Sequence, residues 1–227
     1  MKRAGTIDEL TTTSYAILGL LAIRPWTTYE LAKQMDRSLR HYWPRAASRV
    51  YEEPKRLAAH GLARMKKEQV GKRSRTIYSI TGEGRRALAA WLAKPGTGPS
   101  VEFEALLKVF FAEHGSRRDV LANIEAIRRW AAQQNAENVA FARLYTEQGG
   151  PFPERLPAIT LTGKFMTDLA DMLDNWARWA ADVVARWPDD PAEANPDWDT
   201  LRAIARREVT PATLPHPSRT ADRDGGT

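Results

Sequence analysis

Residues 71–81, GKRSRTIYSIT, decide how the first part of the chain is read. Lys72, Arg73 and Arg75 follow a glycine, and the chain then alternates apolar and polar positions with the period of a half-buried strand. Just upstream, LARMKKEQV (62–70) alternates loosely in the same way. The two stretches predict a β-hairpin whose tip, Gly71 to Ser74, is a loop of several residues. A glycine at its head lets long cationic side chains project without a bulky turn in the way.

Helical patterns surround the hairpin. TTTSYAILGLLAI (11–23) offers Ser14 as a cap before an apolar run that Arg24-Pro25 stops. TTYELAKQM (27–35) opens with Thr27 and Glu30 at capping-box spacing, where hydroxyl and carboxylate satisfy orphan amides. A third pattern, from Ala46 to His60, puts Val50, Pro54, Leu57 and Ala58 on one face and has Gly61 to end it. After the hairpin, TGEGRRALAAWLAKP (81–95) returns to helical spacing through Ala87, Leu88, Trp91 and Leu92. KPGTGPS (94–100), with two Pro and two Gly, reads as a linker. Three helices followed by a hairpin is the order of a winged helix-turn-helix, here expected over 11–95 with the linker at 96–100.

The remainder predicts an α-helical domain over 101–187. VEFEALLKVFFAEHG (101–115) carries Phe103, Leu106, Leu107, Phe110 and Phe111; a second helix runs from Ser116, a possible cap, to Gln148 before Gly149-Gly150-Pro151. In a third, Leu161, Phe165, Leu169, Met172, Trp176, Trp179, Val183 and Trp187 recur at helical spacing, a stripe that must be covered. Residues 188–227 form an extension in which DWDTLRAIARREV (197–209) suits one short helix, and the last 17 residues have a disordered composition. The fold class is therefore mainly α.

Composition bounds the function. With 43% hydrophobic and 27% charged residues, the 227-residue chain has the make-up of a globular protein, and its lack of cysteine excludes disulfides, thiolate metal sites and cysteine nucleophiles. No run of about 18 apolar residues can span a bilayer, and MKRAGTIDEL lacks the apolar segment of a signal peptide. No membrane partner and a cytoplasmic location are expected. The net charge is +6, and its distribution is uneven: residues 1–95 hold 19 Lys and Arg against 8 Asp and Glu, a balance of +11, whereas 96–227 hold 15 against 20, a balance of −5. A cationic front points to a polyanionic partner, against the plainer reading of a solvated basic surface.

Double-stranded DNA fits that partner. Its major groove, about 12 Å wide, admits one helix. The third helix would enter it with Arg45, Ser48 and Arg49 of its leading turn, and Lys55 further along, facing bases and phosphates. The hairpin would lie alongside, bringing Lys72, Arg73 and Arg75 to phosphates or the minor groove.

YAILGLLA (15–22), TYELAKQM (28–35), YWPRAASRVYEEPKRLAAHGL (42–62) and RTIYSITGEGRRALAAWL (75–92) together resemble the DNA-binding domain of PadR-like transcriptional regulators. The Trp43 to Tyr51 spacing, Lys55-Arg56-Leu57, Gly61-Leu62, Tyr78, Thr81, Gly84, Leu88 and Trp91 carry the likeness. The resemblance implies a recognition helix from Arg45 to His60, a wing from Val70 to Thr76, and an α-helical C-terminal domain that dimerises. Pro54 departs from the leucine usual in the family. Mid-helix, proline removes an amide donor and clashes with the preceding turn at a cost of about 3 kcal/mol. The expectation is a kinked helix, with Pro54→Leu raising the melting temperature; the alternative is a helix that starts later and leaves 45–50 as a loop.

Other signals are weaker. Gly82-Glu83-Gly84-Arg85-Arg86-Ala87 satisfies a dinucleotide fingerprint formally, with Glu102 or Glu104 roughly 20 residues on. Yet no strand follows the helix, so Gly84 is better read as a glycine at a helix entry. The four histidines, His41, His60, His114 and His216, have no paired ligand spacing, and Glu102 and Glu104 cannot share a helix face. No catalytic site, metal or cofactor is expected. The tryptophan stripe reads as core or as a homodimer interface, and Trp91, or an aromatic from residues 101–187, is a candidate to line a cavity for a small aromatic effector. The expected function is a dimeric, sequence-specific DNA-binding repressor relieved by such an effector; the alternative is a winged-helix module that binds protein.

Overall fold

The computed structural model describes residues 10–40, 42–43, 49–71 and 73–208, with Val70 and Arg73 described by backbone alone. The chain divides into two compact units, Met1–Glu102 and Phe103–Thr227. Among the described residues no helix is long and apolar enough to cross a membrane. The tail at 211–227, expected to lack order, lies outside the described residues.

In unit one, α1 (Thr12–Ile23) is capped by Thr11, not Ser14. Ser14 is the third helical residue of the box: its hydroxyl accepts from the Thr11 amide at 2.9 Å, while Thr11 Oγ1 accepts from the Ser14 amide at 3.3 Å. Trp26, 2% exposed, lies in β1 (Trp26–Thr27) and donates its indole N–H to the Leu20 carbonyl at 2.7 Å, which satisfies its polar end inside the core. α2 (Thr28–Ser38) starts from the expected box, in which Thr27 Oγ1 accepts from the Glu30 amide and Glu30 accepts from the Thr27 amide at 2.8 Å.

The third helix is shorter than its sequence pattern. α3 covers Glu53–Ala59 with Pro54 in its first turn, and Arg49 to Glu52 form a turn closed by the Glu52 amide on the Arg49 carbonyl at 3.3 Å. The kink expected at Pro54 is thus replaced by a late start, because a first-turn amide has no helical partner to lose. The apolar face survives the change: Val50 is 3% exposed, Leu57 0%, and Pro54 is fully buried. At the far end, Gly61 has φ 74, and the Gly61 and Leu62 amides reach the Ala58 and Leu57 carbonyls at 3.1 and 2.9 Å, a Schellman stop.

β2 (Ala63–Val70) and β3 (Arg73–Ile80) pair antiparallel from Ala63 opposite Ile80 to Val70 opposite Arg73. The connection is therefore two residues, Gly71-Lys72, and not the longer loop that the cluster of polar residues suggests; Arg73 and Ser74 belong to the strand. Gly71, at φ 61, supplies the positive φ that so short a link demands. β1 adds to the other edge of β3, with Trp26 opposite Tyr78, giving the order β1-β3-β2. α4 (Gly82–Leu92) follows, capped by Thr81. The Thr81 hydroxyl donates to the Gly61 carbonyl at 2.7 Å and accepts from the Gly84 amide at 3.1 Å, joining the stop of α3 to the start of α4. A Cβ at Gly84 would overlap the Leu62 carbonyl oxygen, so this glycine serves close packing.

In unit two, α5 (Glu104–Phe110) is shorter than the expected 101–115, and a 3-10 turn at Ala112–His114 completes it. α6 (Arg117–Gln148) starts on the Ser116–Asp119 capping box and ends at Gly149. α7 (Leu156–Val184) returns antiparallel to it, as the Asn135–Asp171 hydrogen bond at 2.7 Å and the Arg117–Asp189 ion pair at 2.6 Å require. α8 (Trp198–Ala205) falls within the expected short helix. The α6–α7 seam uses Val120, Ile124, Ile127 and Ala131 against Ala170, Ala177, Ala180 and Val184, all buried. Only part of the stripe from Leu161 to Trp187 joins that core, through Trp176 and Trp187, which pack against it. Leu161, Phe165, Met172 and Trp179 are exposed, and Leu169, Trp176, Val183 and Trp187 are half-buried. The alanine-rich face beside it packs inward because small side chains let two long helices approach closely.

Candidate nucleic-acid interface

A polar triad positions α3. Glu53, 3% exposed, accepts from Arg56 Nη2 at 2.8 Å, and Arg56 Nη2 also donates to the buried Ser14 hydroxyl at 2.9 Å. This polar triad pins the first turn of α3 to the first turn of α1. Burial, the largest single influence, works to raise the Glu53 pKa. Hydrogen bonds from Arg56 and Ser14, with the charges of Arg56 and Arg49, outweigh it and hold the carboxyl below its ordinary range.

Of the residues expected at the interface, Arg45, Ser48 and Lys72 lie outside the described residues, as does the Arg73 side chain. Arg49 is exposed one turn ahead of α3, beside Tyr51, which is 58% exposed. Lys55 projects from α3 and is held by Glu52 at 2.9 Å, a hydrogen bond that raises the lysine pKa. Arg75 is on the wing, its guanidinium donating to Glu68 at 2.9 and 3.3 Å. Lys55 of α3 and Arg64 and Met65 of β2 line one open groove, together with Ala58, Ala59 and Ala63. Helix and wing base thus share a surface, apolar at its floor and cationic at its rim. Trp91 is half-buried and stacks on Tyr15 at 4.9 Å and 8°, bracing α4 on α1.

Sequence reasoning placed the wing's charge at its tip and passed over its shaft. The hairpin from 63 to 80 holds six cations, Arg64, Lys66, Lys67, Lys72, Arg73 and Arg75, and one carboxylate, Glu68. Glu68 lies directly opposite Arg75. Reading Gly71-Lys72 as a two-residue turn would have exposed that pairing; the longer loop hid it. Among the described residues no group of His, Asp or Glu is arranged to hold a metal ion.

The comparisons with known proteins agree with this geometry. Residues 17–90 match the model of the transcriptional regulator PadR-like family. The negative transcriptional regulator PadR of Bacillus subtilis (strain 168) is 30% identical over 107 residues, which are 46% of this chain and 59% of that protein, so the chain spans less than two thirds of the length of that curated relative. In fold, the chain is similar to Bacillus subtilis PadR in complex with operator DNA, with TM-score 0.66 at 20% identity over 77% of this chain and 99% of that one. It is also similar to Bacillus subtilis PadR in complex with p-coumaric acid, with TM-score 0.61 at 19% identity over 78% of this chain and 100% of that one. The winged helix at residues 17–90 thus fits the model of the PadR-like family of transcriptional regulators, and the chain, with its helical second unit, is similar in fold to Bacillus subtilis PadR.

Proposed function

We propose that the chain is a sequence-specific DNA-binding regulator that acts as a homodimeric repressor on double-stranded DNA and is relieved by a small aromatic effector. The observation that carries this reading is the winged helix itself, whose hairpin bears six cations against one carboxylate and whose residues 17–90 fit the model of a family of transcriptional regulators. Arg45, Ser48, Arg49 and Lys55 meet the duplex from the recognition segment, and Lys72, Arg73 and Arg75 meet it from the wing. Their work is binding, not catalysis, and its place is the cytoplasm, where the DNA is.

A second copy is supported by unit two, where Leu161 is 76% and Phe165 58% exposed on a helix that a partner can cover. A two-fold pair sets two readers about 34 Å apart, one turn of a pseudo-palindromic site. The aromatic effector is supported by the p-coumaric acid bound to the Bacillus subtilis protein. Trp91 stays the candidate through the ring face that Tyr15 does not occupy. Effector binding changes the spacing of the readers and lowers DNA affinity.

Selection of genomic fragments bound by the full chain tests the proposal. Enrichment of a site with two half-sites one turn apart is expected. Recovery of fragments no different from the input would remove the reading, and salt-insensitive retention of other proteins would favour a protein-binding module in its place.

A further inference from the structure

The wing carries its cations in two different states. Lys66, Glu68 and Arg75 point to one face of the hairpin: Glu68 and Arg75 are register partners, and Lys66 is two residues from Glu68 on the same strand. Lys66 Nζ donates to Glu68 Oε1 at 3.0 Å, and Arg75 Nη2 and Nε donate to Oε2 at 2.9 and 3.3 Å. Both carboxylate oxygens are occupied. Glu68 is the most covered of the three, with 28% of its side chain exposed against 72% for Lys66 and 50% for Arg75. Lys67 projects from the opposite face and is exposed.

We infer that Glu68 is a specificity-determining residue of the wing, holding Lys66 and Arg75 together on one face and competing with phosphate for both. The inference rests on the DNA-binding reading above. A phosphate reaching Lys66 or Arg75 must displace a carboxylate already within hydrogen-bond distance, so any duplex that merely offers charge gains little from this face. A duplex that fits the rest of the surface brings its phosphates to a fork already oriented, and there less side-chain freedom is lost on contact. The carboxylate therefore weakens binding to arbitrary sequence more than binding to the fitted site. Without it, Lys66 and Arg75 would offer their charge to the phosphates of any duplex.

The experiment compares the wild-type full chain and Glu68→Gln on two duplexes, a random sequence and the genomic fragment that the wild type selects, by fluorescence anisotropy from 50 to 200 mM salt. Removing the charge frees one or two cations for phosphate, so random-sequence affinity at 50 mM is expected to rise about three- to tenfold with a steeper salt slope. The selected fragment should gain less, so the ratio between the two falls. The same substitution in a Lys66→Gln, Arg75→Gln background should have little effect, because the partners are already gone. Equal tightening on both duplexes, no change on either, or an unchanged effect in that background would overturn the inference while DNA binding stands. A wild-type chain that binds neither duplex would instead end the DNA-binding reading, and this inference with it. Thermal unfolding of Glu68→Gln, expected to match the wild type, separates these outcomes from misfolding.

Discussion

Unit one closes its core with large side chains, whereas on α7 of unit two alanines face inward and part of a stripe of large side chains lies in water. Around the sheet of unit one, Ile17, Leu18, Leu31 and Leu57 are 0% exposed and Tyr78 is 2%. On α7 the 0% positions are Ala170 and Ala177, while Leu161 reaches 76% exposed. The alanines of α7 let α6 bring Val120, Ile124 and Ile127 close, but each alanine removes little apolar area from water itself, and burial stabilises by about 25 cal/mol per Å². Unit two thus has a core of its own, built on Val120, Ile124, Ile127 and Val184, but leaves Leu161, Phe165, Met172 and Trp179 exposed along α7.

Four outcomes bear on that contrast. Leu57→Ala opens a cavity in a closed core and is expected to cost about 3 to 4 kcal/mol. Hydrogen exchange should show the loss in α1 and β3 at any protein concentration, with α6 and α7 unchanged. Phe165→Asp places a charge on the uncovered stripe and should weaken self-association by about 2 to 3 kcal/mol, roughly a hundredfold in Kd. Sedimentation would register that change, and exchange in unit one should not.

The third outcome concerns Glu53. A carboxyl whose folded-state pKa is lowered stabilises the fold above its unfolded pKa and ceases to do so as pH falls through the folded value. Glu53→Gln should therefore cost about 1 to 2 kcal/mol near neutrality, a penalty that shrinks below roughly pH 4. Urea titrations across pH check it, and a constant penalty would mean that the triad acts by shape alone. Smallest is Pro54→Leu. With proline in the first turn of α3 and fully buried, the substitution frees the unfolded chain and crowds a filled site, so the melting temperature should fall by the equivalent of about 1 kcal/mol.

That last expectation reverses the sequence reading, and the reason is instructive. Most features set by neighbours in the chain were legible: the Thr27–Glu30 box, the cap at Ser116, the stop at Gly61 and the hairpin all rest on interactions a few residues apart. Features set across the fold were not. Whether 49–52 joins α3 depends on the turn that buries Val50, the loop length depends on cross-strand pairing at Val70 and Arg73, and the buried face of α7 depends on how closely α6 approaches. On the cationic surface of unit one, basic positions could be read off the sequence, but the carboxylates that hold them, Glu52 on Lys55 and Glu68 on Arg75, became visible only with the register and the turn in place.

The most direct test of the account is the equilibrium affinity of the full chain for its selected genomic fragment between 50 and 200 mM salt. A reader that uses both helix and wing contacts about six to ten phosphates, and its affinity should fall by about 10³ to 10⁵ across that range. An affinity that stays flat with salt would contradict it.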